Sequence, residues 1–185
     1  MDRRALVERA ARGDHDAFER LATTAAIRLD AAARLILRDP ELARDAVQNT
    51  LVRAWRDLPG LRDPDRFDAW LHRLLINAAL DEARRRRRRH IEIVLEDHDE
   101  PSPGDPSREL ADRDLVERAL IRLDPEHRAL VVLHYYLGYP LPEAATSLGL
   151  SLPAAKSRLH RAMLGLRRSM TADGRVVPLE GGRPA

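Results

Sequence analysis

The stretch LPEAATSLGLSLPAAKSRLHRAM (residues 141–163) decides the fold of the C-terminal half of the chain. A short helix, a turn and a second helix that Ser151 can cap are typical of a helix-turn-helix. Ala144 and Ala145 are small enough for the two helices to approach closely, and Gly149 can adopt the positive φ that a tight turn requires. The sequence therefore predicts a helix-turn-helix over residues 141–163.

The second helix of this motif has a polar outward face. Its hydroxyl, imidazole and basic side chains can bind phosphates and donate hydrogen bonds to guanine edges in the major groove. The candidate DNA-binding residues are Ser151, Lys156, Ser157, Arg158, His160 and Arg161. On this segment alone, the alternative is a compact helical hairpin with a solvated basic face.

The segment before this motif also has helical periodicity. Pro125 can open a helix that ends at Gly138. An earlier helix is indicated by apolar residues on one face, namely Leu115, Ala119, Leu120 and Leu123. We assign residues 113–170 to one helical unit and predict a disordered tail over residues 171–185, where apolar residues are few.

Residues 91–112 separate this unit from the N-terminal half. They contain 1 basic and 8 acidic residues, and several prolines interrupt any helical period. Such a segment buries too little apolar surface to offset its ordering entropy. We therefore predict a flexible acidic linker, whose apolar start at Ile91 either docks on the first unit or is a frayed helix end.

Residues 1–90 form a second helical unit. A stripe of apolar residues predicts a helix over residues 41–58, and its other side is polar. Pro59 to Asp65 is a loop by its Pro-Gly and Asp-Pro signals. From Phe67 onward a strongly amphipathic helix leads into six consecutive arginines, Arg84 to Arg89.

Composition agrees with two small helical domains. The chain has 185 residues, no cysteine and only 4% aromatic residues, which favours an all-α protein and excludes disulfides and thiolate metal sites. Residues 1–90 contain 20 basic and 15 acidic residues, and residues 113–185 contain 11 and 7. Two basic blocks indicate nucleic-acid-facing modules, with solvated surface charge as the alternative.

Other classes of protein have little support. The seven histidines form no ligand spacing with the carboxylates, and no glycine-rich loop that could hold a phosphate is present. This argues against an enzyme and against a metal or organic cofactor. Neither a secretory signal nor an apolar run of transmembrane length is found. We expect a cytoplasmic protein without membrane insertion.

Two stretches resemble a known family. The run LDPEHRALVVL (residues 123–133), followed by KSRLHRA (residues 156–162), resembles the fourth conserved region of extracytoplasmic-function sigma factors. The stretch RDAVQNTLVRAWRDL (residues 44–58) is similar to the second region of that family. The resemblance implies a region 2 helical bundle and a region 4 helix-turn-helix joined by the linker.

Region 2 of the family docks on the β′ clamp helices of core RNA polymerase. The resemblance carries this role to the polar face of residues 41–58, at Asp45, Gln48, Asn49, Arg53 and Arg56. Without the resemblance, an ordinary solvated helix face is the better interpretation. Region 4 would contact the β flap and read the minus-thirty-five element of the promoter. The implied function is promoter-specific initiation, of a stress or envelope-response regulon, under control of a possible anti-sigma factor.

The stretch FDAWLHRLLINAALD (residues 67–81) resembles the helix that reads and opens the minus-ten element. An unstacked base needs hydrogen bonds to its edge, and Asn77 is the sharpest candidate for them. Its alternative is a helix-face amide bonded to backbone or water, and that of the arginine run, a sequence-blind phosphate clamp, is a solubilising tag. The minus-ten candidates are Leu61, Arg62, Asp63, Arg73, Asn77, Arg84, Arg85 and Arg86.

The linker is long enough for both promoter elements. They lie roughly two helical turns apart, or about 70 Å, and 22 residues span at most about 70 Å at ~3.3 Å each. A rival hypothesis is a stand-alone helix-turn-helix regulator with an N-terminal sensor or dimerisation domain. Such a regulator would bind its operator alone, whereas a sigma factor needs core polymerase for tight, strand-opening binding.

Overall fold

The computed structural model describes residues 2–94, 120 and 123–172, and these residues form helices and turns with no strand among them. The predicted all-α fold is confirmed. The helices are α1 (Arg3–Ala11), α2 (His15–Leu37), α3 (Pro40–Asp57), α4 (Phe67–Val94), α5 (Pro125–Val131), α6 (Leu141–Ser147) and α7 (Leu152–Ala172). Two 3₁₀ turns, Leu58–Gly60 and Pro64–Arg66, lie between α3 and α4, and a π-helical turn, Val132–Tyr136, continues α5.

Aspartate side chains begin several of these helices. The Asp14 carboxylate accepts a hydrogen bond from the Ala17 N–H at 3.0 Å, and Asp39 and Asp124 cap α3 and α5 in the same way. Each cap satisfies a backbone N–H that has no partner within the helix. Between α2 and α3 the chain turns at Arg38, whose φ of 58° is left-handed.

Helices α1 to α4 pack around large apolar side chains. Fully buried residues include Leu21, Leu29, Ile36, Phe67 and Leu75. The face of α3 that meets this core consists of small residues, Ala43, Ala46, Thr50 and Ala54. Because small side chains let helix backbones approach closely, α3 lies tightly against its neighbours and keeps its polar side in solvent.

Trp70 was predicted to belong to the core before any role in stacking. Its ring is half-buried and lies 5.9 Å from the ring of Phe67. Helix α1 has no counterpart in the apolar pattern of the sequence, since only Val7 and Ala10 of that helix are buried.

Helices α6 and α7 form the predicted helix-turn-helix. Ala144, Ala145 and Ala155 are buried where the two helices meet, and Gly149 has the expected positive φ, at 65°. A small cluster on the other side of α7 joins Leu120, Leu123 and Ala162 to the partly buried Leu35 of α2.

The two helical units pack against each other. Leu130, Val132 and Leu133 are fully buried, and they belong to the same hydrophobic cluster as the core of helices α1 to α4. Helix α5 contacts both α2 and α4. Apolar periodicity cannot predict this arrangement, because it shows which face of a helix is buried but not which helix buries it.

The helices extend slightly beyond the predicted units. Helix α4 continues to Val94, four residues into the predicted linker, and α7 ends at Ala172 instead of residue 170. The remainder of the predicted linker, residues 95–112, and of the predicted tail, residues 173–185, lies outside the described residues. No helix in the described ranges is both long enough and apolar enough to cross a membrane.

Candidate functional sites

The polar face of α3 borders an open groove. Asp45, Gln48 and Asn49 are exposed and line this groove, which has a volume of about 660 Å³. Its opposite wall comes from α4 and consists of Glu82, Arg85, Arg88 and Arg89. The structure therefore brings three of the five predicted polymerase-binding residues together at one place.

The other two predicted residues of α3 lie apart from this groove. Arg53 is half-buried. Arg56 is exposed, but its Nε lies 2.8 Å from Oδ1 of the neighbouring Asp57, and this hydrogen bond raises the pKa of Arg56 and lowers that of Asp57. An exposed pair of this kind contributes little to stability, so Arg56 can exchange Asp57 for a partner.

Sequence reasoning missed Val52. This side chain is 62% exposed, and it lies three and four residues after Asn49 and Gln48, hence on the same side of α3. The available signal was an apolar residue on an otherwise polar stripe. An exposed apolar side chain within a polar patch is a common feature of protein interfaces.

The predicted minus-ten loop consists of the two 3₁₀ turns between α3 and α4. Leu61 is half-buried and packs against the core, so it anchors the loop and is not presented as a reading surface. The Asp63 carboxylate accepts a hydrogen bond from the Asp65 N–H at 3.1 Å and pairs with Arg66 at 3.6 Å. Arg62 is exposed. Two of the three predicted loop residues thus hold the loop in shape.

On α4, Arg73 and Asn77 are exposed one turn apart. Helical spacing places Arg84 and Arg88 further along the same stripe. The structure therefore groups the candidate base-reading amide with basic side chains that continue along the helix.

The arginine run is partly neutralised by carboxylates of the protein. Glu82 is 9% exposed and lies 3.4 Å from Arg85 and 2.7 Å from Arg89. Arg86 pairs with Asp39 of the turn before α3 at 3.2 Å. These pairs tie the run to both α4 and α3, so it is not a uniformly solvated tag.

The recognition helix α7 has one residue in an unexpected place. Lys156, Ser157, His160 and Arg161 are exposed, as a reading face requires. The Ser151 hydroxyl accepts a long hydrogen bond from the Ala154 N–H, at 3.4 Å, and this agrees with its predicted capping role.

Arg158, predicted to contact DNA, is the exception on α7. Its side chain is 24% exposed, and its Nη1 donates to Oε2 of Glu126 on α5 at 2.9 Å. This pair holds the recognition helix against α5. Arg158 therefore positions the helix in this arrangement, and its guanidinium is not on the open face.

Polar contacts join the two helical units at a crevice of about 480 Å³. The Tyr139 hydroxyl lies 2.7 Å from Nδ1 of His72 on α4, and Arg28 on α2 donates to the Leu137 carbonyl at 3.3 Å. Burial lowers the pKa of His72 to about 4, so the ring is neutral at pH 7.

Arg128 of α5 is buried, at 8% exposure, and its Nε has no hydrogen-bond partner. Burial and the nearby charges of Arg38 and Arg86 lower its pKa to about 10. Among the described residues no group of three or more histidines and carboxylates has the arrangement of a metal site.

Comparisons with known proteins match both units. Residues 21–89 match the family model described as Sigma-70 region 2, and residues 113–166 match the model described as Sigma-70, region 4. The ECF RNA polymerase sigma factor SigL of Mycobacterium tuberculosis is 36% identical over 139 residues, which cover 74% of this chain and 78% of SigL. The RNA polymerase sigma factor CnrH of Cupriavidus metallidurans is 35% identical over 182 residues, covering 92% and 95%.

Solved structures of sigma factors are similar as well. CnrH in complex with the cytosolic domain of CnrY has a TM-score of 0.66 and 34% identity, with 92% of this chain and 98% of that one covered. The sigma factor RpoE in complex with the anti-sigma factor NepR from Bartonella quintana has a TM-score of 0.69 and 25% identity, with 84% and 98% covered.

Proposed function

The chain belongs to the extracytoplasmic-function sigma factors of the sigma-70 family, and we propose that it docks on core RNA polymerase through α3 while α4 and α7 contact the two promoter elements. As a member of that family it directs transcription initiation. The stand-alone regulator is not favoured, because relatives named as sigma factors match both units in the same order along the chain.

The observation that carries the docking proposal is the α3 groove. Gln48 and Asn49 line it, and Val52 exposes an apolar side chain on the same side of the helix. The small buried residues on the other side of α3 hold this face rigidly. A rigid surface that combines amide groups with one exposed apolar residue suits a helical partner such as the β′ clamp helices.

The α4 stripe supports contact with the minus-ten element. The Asn77 amide can both donate to and accept from a base edge, which is what capture of an unstacked base requires. Arg73 and the arginine run would hold the phosphates, whatever the sequence.

The exposed face of α7 supports contact with the minus-thirty-five element. Lys156 and Arg161 can bind phosphates or guanine edges, and Ser157 and His160 add shorter polar contacts. Arg158 would act indirectly, by holding α7 against Glu126.

An anti-sigma protein is a further proposed partner. The two similar structures are complexes of a sigma factor with CnrY and with the anti-sigma factor NepR. We propose that this chain acts in the cytoplasm as a non-enzymatic subunit without cofactor, and that an anti-sigma factor of its own controls it.

In vitro transcription with core polymerase on a genomic fragment library tests the proposal. The chain should direct initiation from fragments that share two sequence elements. The double variant Gln48→Ala/Asn49→Ala should lose roughly tenfold in affinity for core polymerase, whereas Thr23→Ala, an exposed polar residue of α2, should bind normally. Sequence-specific duplex binding by the chain alone, with start sites unchanged when core enzyme is present, would establish the regulator instead.

A further inference from the structure

The described arrangement brings two reading surfaces together that a promoter holds apart. One carboxylate, that of Glu126, lies 3.6 Å from Arg84 of α4 and 2.9 Å from Arg158 of α7. Elements two helical turns apart on DNA are separated by about 70 Å. One duplex therefore cannot contact α4 and α7 at both elements while these helices share a carboxylate.

The contacts that keep the units together are specific. The Tyr139 hydroxyl meets His72 Nδ1, their rings lie edge to face at 84°, and Arg28 donates to the Leu137 carbonyl. We call these four residues the latch. Behind it, Leu130 and Leu133 are fully buried in the shared hydrophobic cluster. Burial of this kind, with polar groups paired at its edge, is typical of a specific interface.

We infer that this arrangement is a closed, autoinhibited state of the free sigma factor, held by the latch and opened when core RNA polymerase binds. This inference rests on the proposed function, since it assumes that α4 and α7 read one promoter. The closed state leaves single elements accessible but excludes binding to both.

The closed state leaves the polymerase-docking face open. Asp45, Gln48 and Asn49 are exposed and the groove beside them is unobstructed by α5 to α7, none of which contributes to its lining. Polymerase can therefore engage α3 first, and separation of the units follows. The closed state also carries an internal opposition, because Arg128 is buried close enough to the charges of Arg38 and Arg86 to be affected by both. Opening relieves that repulsion.

Because the chain has no cysteine, the distance between the units can be measured by energy transfer. A donor and an acceptor are placed at Glu19→Cys and Thr146→Cys, two exposed positions outside the proposed interfaces. The free protein should show high transfer, and saturating core polymerase should lower it. Tyr139→Phe removes the hydroxyl and leaves Nδ1 of His72 unpaired, so the closed-to-open ratio should fall roughly tenfold.

Tyr135→Phe is the matched control. Tyr135 is 58% exposed and its hydroxyl has no hydrogen-bond partner among the described residues, so its loss should leave the transfer unchanged. Far-UV circular dichroism establishes that each variant is folded. In a second readout without polymerase, Tyr139→Phe should bind a duplex carrying both elements several-fold better than wild type, with no gain on a duplex carrying only one.

Three results overturn the inference. They are low transfer in the free wild-type chain, unchanged transfer on polymerase that still initiates correctly, and equal effects of Tyr139→Phe and Tyr135→Phe. Failure of the proposed function looks different, because the wild-type chain then neither binds core polymerase nor alters start sites. Arg28→Ala, which removes the other latch contact, should shift the transfer in the same direction as Tyr139→Phe.

Discussion

Region 2 and region 4 bury their apolar surface in different ways. Region 2 has large side chains in its own interior, such as Phe67 and Leu75. The helix-turn-helix of region 4 is closed by alanines, and its larger buried residues, Leu130 and Leu133, lie in the segment that packs near α2 and α4. Region 2 is thus built to stand alone on polymerase, whereas region 4 completes its core by resting on region 2.

The largest expected effect lies within region 2. Phe67→Ala should lower the free energy of unfolding by about 4 kcal/mol, because it deletes a ring that is only 2% exposed and leaves a cavity. Urea unfolding followed by circular dichroism measures this change. Ile27→Ala, which alters a side chain that is 84% exposed, should stay within about 0.5 kcal/mol of wild type. Similar losses for both variants would contradict an independent core in region 2.

This contrast also shows what the sequence could predict. Local periodicity and turn chemistry correctly placed the helices of region 2, the alanines at the α6 and α7 contact and the positive φ of Gly149. Each of these depends on residues within a few turns of one another. Such features can be inferred from a single chain because helix geometry determines them.

Pairings between distant residues could not be predicted. Arg158 meets Glu126, 32 positions earlier, and Tyr139 meets His72, 67 positions earlier. On the sequence alone Arg158 is one more basic residue of a reading face, and Leu61 is an exposed loop residue. Tertiary packing decides both cases, and helical periodicity carries no information about it.

The second prediction uses pH to separate the regions. With its pKa at about 4, His72 stays neutral in the closed state, whereas in the open state it regains its ordinary value of 6.5. Closure is therefore at full strength above pH 6.5 and weakens as the pH falls toward 4, by up to roughly 3 kcal/mol. The charged groups affecting His72 are Asp68, which favours protonation, and Arg28 and Arg3, which oppose it.

Interdomain energy transfer, recorded between pH 7.5 and 4.5, measures this effect. Because carboxylates also titrate at the acidic end, the informative quantity is the difference between wild type and His72→Asn. The wild type should open more steeply with acid than the variant. Parallel curves for the two proteins would show that His72 does not couple closure to pH.

The third prediction tests the opposition inside the interface. Arg128→Met replaces a buried guanidinium by an apolar side chain of similar length, and it should stabilise the closed state by about 2 kcal/mol. The midpoint of urea-induced separation, followed by energy transfer, measures this gain. Arg20→Met changes an exposed arginine of α2 and should have little effect. Opening of the Arg128→Met protein would mean that this charge supports the interface.

The smallest expected effects compare two left-handed residues, one in each region. Gly149 has open space around it, so Gly149→Ala should cost only the backbone strain of a φ of 65°, about 1 kcal/mol. Arg38 already carries that strain at a φ of 58°, so glycine should relieve it there. Since Arg38→Gly also removes a charge near Arg128, the strain is isolated by comparison with Arg38→Ala. Glycine should be more stable than alanine by about 1 kcal/mol at both positions, and equal stability at position 38 would mean that the turn after α2 adopts another conformation in solution.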